Sequence, residues 1–393
     1  MNENTSSKWL KSVNQQKVLR LIYAEGPISR VKLAEKTGLT AQTITNIVNR
    51  LLGEEILHEN VPLENGVGRK PVPLVVKSEE LYALGIEVAV KYVRGTLVDF
   101  RNVPISEVTE TMSSDTNEDH DENKVECIVK VIDQLLKRVP KMNQLKGIGC
   151  SIQGLVDSTD GVVLLSSGLH WRNFPLRERL EQHYNLPVYL ENDANLLALV
   201  ENLNGSLAAS NHNVTVKLDY GIGGAHVMNK QLNSGAGHVA GELGHCKTFF
   251  GTEAMPCHCG AKGCLTTLVS GSGMKRNLGF TLEEFGHRIR EGDPVAQEWL
   301  AKMAEAVSFA LSNLITFLNP DHILFTGKVL DHTGSYLMDP LRKRILENIP
   351  EFCRKVRLLR LEQTPDDSVL AAGLVMNRFF DVPPIQLSVI NSG

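Results

Sequence analysis

Long apolar runs are scarce in this sequence, and no signal peptide precedes its cysteines. No stretch approaches the roughly 20 apolar residues that a membrane-spanning helix requires. We therefore expect a soluble, cytoplasmic protein without a membrane partner. The cysteine count of seven is odd, which disfavours a disulfide framework. Apolar residues nevertheless make up 42% of the 393 residues, enough for real cores in two or three domains.

The sequence has no overall excess of positive charge, because 41 Lys and Arg against 45 Asp and Glu give a formal net charge of −4. This charge is unevenly distributed along the chain. Residues 1–77 hold 11 Lys and Arg against 7 Asp and Glu, whereas the remaining residues hold 30 against 38. A basic segment can approach the phosphates of nucleic acid, and an acidic body would not. The distribution therefore indicates that any nucleic acid is bound by the N-terminal part.

The N-terminal segment has the pattern of a helix-turn-helix. Apolar residues at helical spacing predict a first helix across residues 13–23. Ser29 begins a short second helix that ends at Gly38, and Thr40 is a good N-cap for a third. A two-stranded wing is predicted to follow. Packing of a helix pair alone would be the simpler explanation, but three helices, a wing and a local positive charge together favour DNA binding.

Five residues are candidates for the DNA contacts. The third helix leaves Gln42, Thr43 and Asn46 outside at its start, where short polar side chains suit base edges in the major groove. In the predicted wing, Arg69 and Lys70 form a basic pair between a glycine and a proline. Such a pair can reach phosphates or a narrow minor groove. Operator DNA is the predicted partner of this domain.

Four candidate metal ligands lie within twenty residues of one another: His245, Cys257, Cys259 and Cys264. One imidazole and three thiolates can close a tetrahedral zinc shell without an open position, which predicts a structural zinc. Ordinary buried cysteines are the simpler alternative. Glu242 precedes the histidine by three residues, so a metal that fixes the imidazole also fixes a carboxylate that can bind a polyol.

These residues carry a family resemblance. The run G-E-x-G-H, followed by C-x-C-G-x-x-G-C-L, resembles the signature of the ROK family of sugar kinases and sugar-responsive repressors. The resemblance implies a two-lobed, actin-like α/β body. It also implies that His245 and the three cysteines hold zinc, while Glu242 and His245 face the sugar.

The resemblance extends to the cleft between the predicted lobes. Asn192 and Asp193 lie at the end of a strand and the start of a helix, and the family's kinases use this aspartate as the general base. Without a phosphate donor the pair can still hydrogen-bond sugar hydroxyls. The alternative is that Asp193 only caps its helix. A glycine turn at Gly154 completes the predicted sugar site.

Strands and helices alternate after residue 81, which predicts an α/β class for the rest of the chain. We expect three units along the sequence. Residues 1–77 form the winged helix-turn-helix, residues 78–195 the first lobe, and residues 196–366 the second lobe with the zinc motif. A C-terminal helix within residues 367–393 resembles the one that packs back on the first lobe in the family.

Two phosphate-binding loops of the family's kinases are altered here. Their first hairpin carries D-x-G-G-T, but residues 87–91 keep neither the glycines nor the threonine. In the second loop, Asp219 and Tyr220 stand where the kinases carry glycine or threonine. Both departures argue against ATP use, so we predict that the protein is not an enzyme. The sugar region also departs, because Thr266 stands in place of a glutamate and an asparagine that the family often has near Gly168 is absent.

These features together predict a dimeric repressor whose two heads leave a palindromic operator when a sugar closes the lobes. The N-terminal segment is most similar to family repressors that respond to xylose, which makes xylose the candidate effector. Two rival hypotheses stay open. One is a sugar kinase with an added DNA-binding domain. The other is a regulator that answers to a protein partner, which the departures at Thr266 and Gly168 would permit.

Overall fold

The computed structural model describes residues 3–60, 72–112 and 120–380. Its N-terminal part is a three-helix head with a small sheet, as the sequence pattern predicted. The elements of the head are α1 (Glu3–Glu25), β1 (Ile28–Ser29), α2 (Arg30–Thr37), α3 (Ala41–Gly53), β2 (Leu57–Glu59) and β3 (Pro73–Val76). Helix α1 extends beyond both ends of the predicted range 13–23. The three strands pair antiparallel in the order β1-β3-β2.

Local capping explains where the helices of the head begin and end. The Ser29 hydroxyl accepts a hydrogen bond from the Lys32 amide, and the Thr40 hydroxyl accepts one from the Thr43 amide, so both predicted N-caps are confirmed. Gly38 ends α2 with a φ of 70°, a conformation that glycine adopts without strain. The buried face of α3 consists of four apolar residues: Ile44, Ile47, Val48 and Leu51.

The predicted wing is present as the antiparallel pair β2 and β3. An ion pair joins it to the second helix, because a guanidinium nitrogen of Arg30 lies 2.8 Å from a carboxylate oxygen of Glu59. Residues 61–71, which include the predicted DNA contacts Arg69 and Lys70, lie outside the described residues.

The body has two lobes, whose elements follow in chain order. The first lobe contains β4 (Tyr82–Val88), β5 (Tyr92–Asp99), β6 (Pro104–Thr111), α4 (His120–Leu136), β7 (Leu145–Ile152), β8 (Leu155–Asp157), β9 (Val162–Ser166), β10 (Trp171–Phe174), α5 (Leu176–Tyr184) and β11 (Val188–Asn192). Helix α6 (Asp193–Asn204) leads to the second lobe. That lobe contains β12 (His212–Leu218), β13 (Ile222–Met228), β14 (Gln231–Leu232), α7 (Thr266–Val269), α8 (Gly271–Leu278), α9 (Leu282–Arg290), α10 (Pro294–Leu318), β15 (His322–Thr326), α11 (Lys328–Thr333), α12 (Ser335–Asn348) and β16 (Arg357–Arg360). Helix α13 (Asp367–Phe380) is the last described element.

Each lobe is built on a five-stranded sheet, and the two sheets share one topology. Their strand orders are β11-β7-β4-β5-β6 and β14-β13-β12-β15-β16. In each sheet three consecutive strands form an antiparallel meander. A fourth strand pairs in parallel with the first strand of the meander, and a fifth pairs in parallel with the fourth. The repeated order agrees with the two-lobed body that the resemblance implied. A smaller antiparallel sheet, β10-β9-β8, belongs to the first lobe.

Helices α6 and α13 connect the two lobes. Helix α6 follows the last strand of the first sheet and packs against β12 and β13 of the second, while α13 packs back against β4 and β7 of the first sheet. A β-carbon at Gly85 would lie 1.8 Å from the carbonyl oxygen of Ser368, and one at Gly149 would lie 1.8 Å from that of Ala371. Glycine at both positions therefore lets the backbone of α13 lie directly on the sheet. Residues 381–393 of the predicted C-terminal helix lie outside the described residues.

The apolar cores follow this architecture. One core fills the second lobe and another fills the first. A third core joins the head to the body, because Leu19 and Ile22 of α1 share it with Phe100 of the first lobe and with Met376 and Phe380 of α13. The head is therefore attached to the first lobe and to α13 by a continuous apolar contact.

Helix α10 departs from one sequence expectation. It is long and apolar enough to cross a membrane, although we expected no such stretch. Among the described residues, it is the only helix that meets this criterion. However, 56% of its most apolar window is buried inside the protein. Because a core helix passes the same test, this finding is weak support for a membrane span.

Candidate functional site

The exposed face of α3 carries the predicted base-reading residues. Gln42 and Asn46 are exposed, one helical turn apart, and the Gln42 amide donates to the Asn46 side-chain oxygen at 3.1 Å. Thr43 is half-buried, and its hydroxyl lies 2.9 Å from that of Thr40. Asn49 is also exposed and falls on the same stripe as Gln42 and Asn46 at helical spacing. Asn49 is therefore a further candidate on this face, which sequence reasoning did not single out although the spacing could have revealed it.

The four predicted metal ligands come together in the second lobe. One ligand atom from each of His245, Cys257, Cys259 and Cys264 lies within 4.8 Å of all the others. The sulfur atoms of Cys259 and Cys264 are 3.7 Å apart, and the Cys257 sulfur is 3.8 Å from His245 Nδ1. In a tetrahedral zinc site with bonds of about 2.0–2.3 Å, ligand atoms are separated by about 3.3–3.8 Å. The cluster therefore has the dimensions and donors to hold a metal ion in a closed shell.

The chain around the four candidate ligands has a backbone conformation and a nearby charge that suit metal binding. Gly260 and Gly263 have φ values of 85° and 73°, which glycine tolerates best. All seven cysteines are free, so no disulfide competes with the cluster. The Lys247 ammonium donates to the Cys264 sulfur at 2.7 Å, a charge that would stabilise a thiolate. Sequence reasoning missed this lysine.

His245 joins the metal cluster to a carboxylate in the cleft. Its Nδ1 faces the cysteines, while its Nε2 lies 3.7 Å from a carboxylate oxygen of Glu242. Burial, and then the charge of Lys247, lower the pKa of His245, which favours the neutral imidazole that a metal requires. The pKa of Glu242 is raised by partial desolvation of its carboxylate in the cleft and then by Asp193, although 46% of its side chain is exposed. One ring can therefore orient both the ion and the carboxylate.

A cavity of about 540 Å³ lies between the lobes. It is lined by all five predicted sugar contacts: Gly154, Asn192, Asp193, Glu242 and His245. Its lining also includes residues that sequence reasoning did not single out, among them Lys217, His238 and His258. Asp219 and Thr266, which we noted only as departures from the kinases, line it as well. The cavity has the volume of a small-molecule site and walls from both lobes.

Asn192, and not Asp193, caps helix α6. The Asn192 side-chain oxygen accepts hydrogen bonds from the amides of Ala194 and Asn195, and its amide group donates to the Gly154 carbonyl at 2.9 Å. Asn192 therefore has the helix-cap role that was considered as an alternative for Asp193. Asn192 holds the glycine turn and the helix start together, which places Asp193 as the first residue of α6 on the cavity wall.

Asp193 belongs to a buried ionic cluster that sequence reasoning missed. The Lys217 ammonium on β12 lies 2.8 Å from an oxygen of Asp193 and 3.0 Å from an oxygen of Asp367 at the start of α13. Burial opposes the charge of Lys217, but the two carboxylates outweigh it and raise its pKa. The available signal was a lysine within the strand pattern V-T-V-K-L, whose other residues are typical of a buried strand.

Residues 87–91, at the place of the kinases' first phosphate-binding hairpin, include the turn between β4 and β5. The Glu87 carboxylate is buried and accepts a hydrogen bond from the Tyr92 hydroxyl at 2.7 Å. Val90 at the turn occupies the space beside Gly168, because a β-carbon at Gly168 would lie 2.5 Å from a methyl of Val90. Two departures that the sequence presented separately are therefore neighbours. A side chain at position 168 and the branched Val90 would compete for one space.

The second loop is tied to the start of helix α8. The carbonyl of Asp219 accepts a hydrogen bond from the Gly271 amide, and that of Tyr220 accepts one from the Ser272 amide. The Ser270 hydroxyl accepts from the next amide, that of Gly273. The first amides of α8 are thus used within the protein, whereas a helix N-terminus that binds phosphate offers them to the ligand.

Comparison with known proteins follows the division into head and body. The sequence pattern of the ROK family matches residues 83–370, and that of the MarR family matches residues 11–59. The chain is 27% identical over 384 residues to the xylose repressor of Bacillus spizizenii, a match that covers 95% of this chain and 97% of that one.

Solved structures share the fold. A ROK family transcriptional regulator, described as a homolog of the E. coli MLC protein, has a TM-score of 0.84 at 22% identity over 95% of this chain and 97% of its own. A ROK family glucokinase from Streptomyces griseus, in complex with glucose and AMPPNP, has a TM-score of 0.62 at 23% identity. It covers 75% of this chain and 98% of its own. Because the family pattern spans residues 83–370, most of the chain, this protein belongs to the ROK family.

Proposed function

We propose that this protein is a sugar-responsive transcriptional repressor. It binds operator DNA as a dimer through its winged heads and releases the DNA when a sugar occupies the cleft. The observation that carries the proposal is the union, in one chain, of a winged helix-turn-helix with a cavity lined by both lobes. The match to a xylose repressor over nearly the full length of both chains supports it.

The chemistry of the cavity favours a neutral sugar. Its described lining includes the carboxylates of Asp193, Asp219 and Glu242, which can accept hydrogen bonds from sugar hydroxyls. The lysine on the wall, Lys217, is already paired with two carboxylates. A phosphorylated sugar would therefore meet an excess of negative charge. We propose xylose as the effector, in keeping with the name of the relative.

We propose zinc for the metal cluster. Three thiolates and an imidazole suit zinc, and with all four positions filled by protein the ion would be structural. Its contribution would be to hold the loop that carries Glu242. His245 would orient that carboxylate through Nε2, which faces away from the cysteines.

In the head, we propose that Gln42, Thr43 and Asn46 read base edges in the major groove. Arg69 and Lys70 of the wing would contact phosphates or the minor groove. A sugar that contacts both walls of the cleft binds the closed form better than the open one, and only such a difference in affinity can move the heads. Two heads in a dimer would then lose their register with the two halves of the operator.

The two rival hypotheses have less support. A kinase would need a phosphate-binding hairpin, and the turn at residues 87–91 carries Val90 where a phosphate must approach. A regulator controlled by a protein partner would not need the polar cavity. Sugar-dependent ATP turnover by the purified protein would favour the kinase, and release of DNA by a partner protein alone would favour the other.

The decisive experiment uses Glu242→Ala and a DNA site selected from a random pool by the parent protein. Fluorescence anisotropy would measure release of this DNA by xylose, glucose, N-acetylglucosamine and glucose 6-phosphate. Loss of one charged hydrogen bond costs about 1.5–3 kcal/mol, so the variant should need roughly ten to a hundred times more xylose while binding DNA normally.

The matched control is Glu253→Ala, which removes an exposed carboxylate from the same loop outside the cavity. It should respond to xylose like the parent. Release of the Glu242→Ala variant at the parent's xylose concentration would show that the cleft is not the sensor. Failure of every sugar in the panel to release the parent would overturn the proposed function.

A further inference from the structure

Three charged groups from three separate elements meet beside the cavity. Lys217 lies on β12 of the second lobe, Asp193 begins α6, and Asp367 begins α13. Their side chains are 6%, 18% and 13% exposed. Removing one partner of such a buried cluster leaves a charge without compensation, so its members respond to one another strongly.

The two carboxylates share a single lysine. The ammonium of Lys217 lies within 3.2 Å of both oxygens of Asp367 and within 2.8 Å of one oxygen of Asp193. Burial raises the pKa of Asp367 to about 6; Lys217 opposes this rise, and Asp193 adds to it. The environment of one carboxylate therefore depends on the other. A hydroxyl that donates to Asp193 would change how firmly Lys217 holds Asp367.

Helix α13 begins at Asp367 in the ionic cluster and extends away from the cleft. Its 14 residues span about 21 Å at 1.5 Å per residue. It lies directly on the first sheet at Gly85 and Gly149, and the Ser368 hydroxyl is 2.8 Å from that of Thr96. The helix is therefore bound to the first lobe along its length and should move with it as one body.

The far end of α13 reaches the DNA-binding head. The ring of Phe380 stacks on Tyr23 of α1, with ring centres 4.0 Å apart. Phe100 of the first lobe contacts the rings of Phe379 and Phe380 edge-on, at 5.3 Å and 5.8 Å. One helix thus touches the second lobe at its start, through Lys217, and the head at its end.

We propose that Asp367 is a positioning residue that transmits the state of Asp193 to the head. Lys217 fixes the angle between the second lobe and α13, and α13 fixes the orientation of the head. A sugar that engages Asp193 alters this ionic contact and so alters the angle. This inference rests on the proposed function, because it requires an effector in the cleft.

The test compares Asp367→Asn with the parent in the full-length protein. Titration calorimetry measures xylose affinity, and anisotropy measures the ratio of DNA dissociation constants with and without saturating xylose. The parent ratio should be about 5 to 150, the usual range of allosteric coupling. Asp367→Asn should still bind xylose, with an affinity that shifts because Lys217 then pairs with Asp193 alone, while its ratio falls toward unity.

Asp366→Asn is the matched control. It removes a carboxylate one residue away that pairs with Arg94 of the first lobe at 3.0 Å, and so it should keep the parent ratio. Phe380→Leu provides a second test at the other end of α13, for use if Asp367→Asn does not fold. It leaves the cleft intact, so it too should bind xylose and lose the coupling.

Two patterns of results overturn the inference, and they differ. If the parent responds to xylose and both Asp367→Asn and Phe380→Leu keep its ratio, α13 does not transmit the signal, and the proposed function stands. If no sugar of the panel changes DNA binding by the parent, the proposed function falls and this inference falls with it.

Discussion

The head presents its candidate base contacts from one helix, whereas the cleft assembles its candidate sugar contacts from distant segments. Gln42 and Asn46 are neighbours on α3 because residues four apart share a helix face. Asp193, Lys217 and Glu242 meet because two lobes and the loop of the candidate metal ligands pack together. Contacts on one helix should tolerate changes elsewhere in the protein. Contacts in the cleft should depend on every element that holds the lobes at their angle.

The largest expected effect is loss of the metal, which should damage the cleft and spare the contacts on α3. Cys264→Ser removes a fully buried ligand. Because metal binding is coupled to folding, we expect the second lobe to lose on the order of 5 kcal/mol of stability or more. Metal analysis and thermal unfolding would measure this loss.

Cys246→Ser is the control for the metal prediction, because Cys246 is an exposed neighbour outside the cluster. It should keep one metal ion per chain and the parent's unfolding temperature. A Cys264→Ser protein with the same metal content and stability as the parent would contradict the assignment of the cluster.

A smaller effect is expected in the head, with the sugar response preserved. Asn46→Ala should weaken binding to the selected DNA site by about 1–3 kcal/mol and relax preference at one base pair. Xylose affinity should not change, because no residue of α3, which the structure describes in full, lines the cavity. Anisotropy across a set of single-base variants of the site would measure both quantities.

The exposed Gln182 on α5 of the body offers a control for the head. Gln182→Ala should bind every DNA variant like the parent. If Asn46→Ala behaved in the same way, α3 would not dock in the major groove through this face. A parallel loss at all sequences would instead indicate a phosphate contact.

The smallest expected effect concerns stability alone and should leave both binding regions, the head and the cleft, unaffected. Partial burial opposes ionisation of Asp321, but hydrogen bonds from Ser210, His322 and the amides of Asn211 and His212 outweigh it and lower its pKa to about 2. A lowered pKa stabilises the folded protein above the ordinary value of 3.8, and this stabilisation is lost as pH falls through about 2.

Asp321→Asn should therefore reduce the free energy of unfolding at pH 7 by roughly 1 kcal/mol, since the carboxylate is partly exposed. Urea unfolding should find a smaller difference from the parent at pH 3. DNA and xylose affinities should match those of the parent. A stability difference that stayed constant from pH 7 to pH 3 would show that ionisation of Asp321 is not its source.

The predictions that the sequence supported best rest on short-range patterns. Ser29 and Thr40 cap their helices as predicted, because an N-cap acts on amides two or three residues away. The four candidate metal ligands were predicted from their spacing, and their ligand atoms come together in the structure. Asp193 shows the limit of this reasoning. One of the two alternatives made Asp193 the cap of helix α6, but Asn192 is the residue that caps it. The choice depended on which side chain, Asn192 or Asp193, turned back toward the helix.

The features that follow from the sequence are therefore local: the helices of the head, the clustering of the four candidate metal ligands, and the loss of the glycines in the first phosphate loop. The tertiary structure alone decided which distant residues meet. Lys217 and Asp367 are 150 positions apart, and their ion pair exists because α13 crosses back to the first lobe. Val90 and Gly168 likewise share one space only in the folded chain. Short-range contacts follow from backbone geometry, whereas long-range contacts follow from the packing of whole sheets and helices, which no single stretch of sequence encodes.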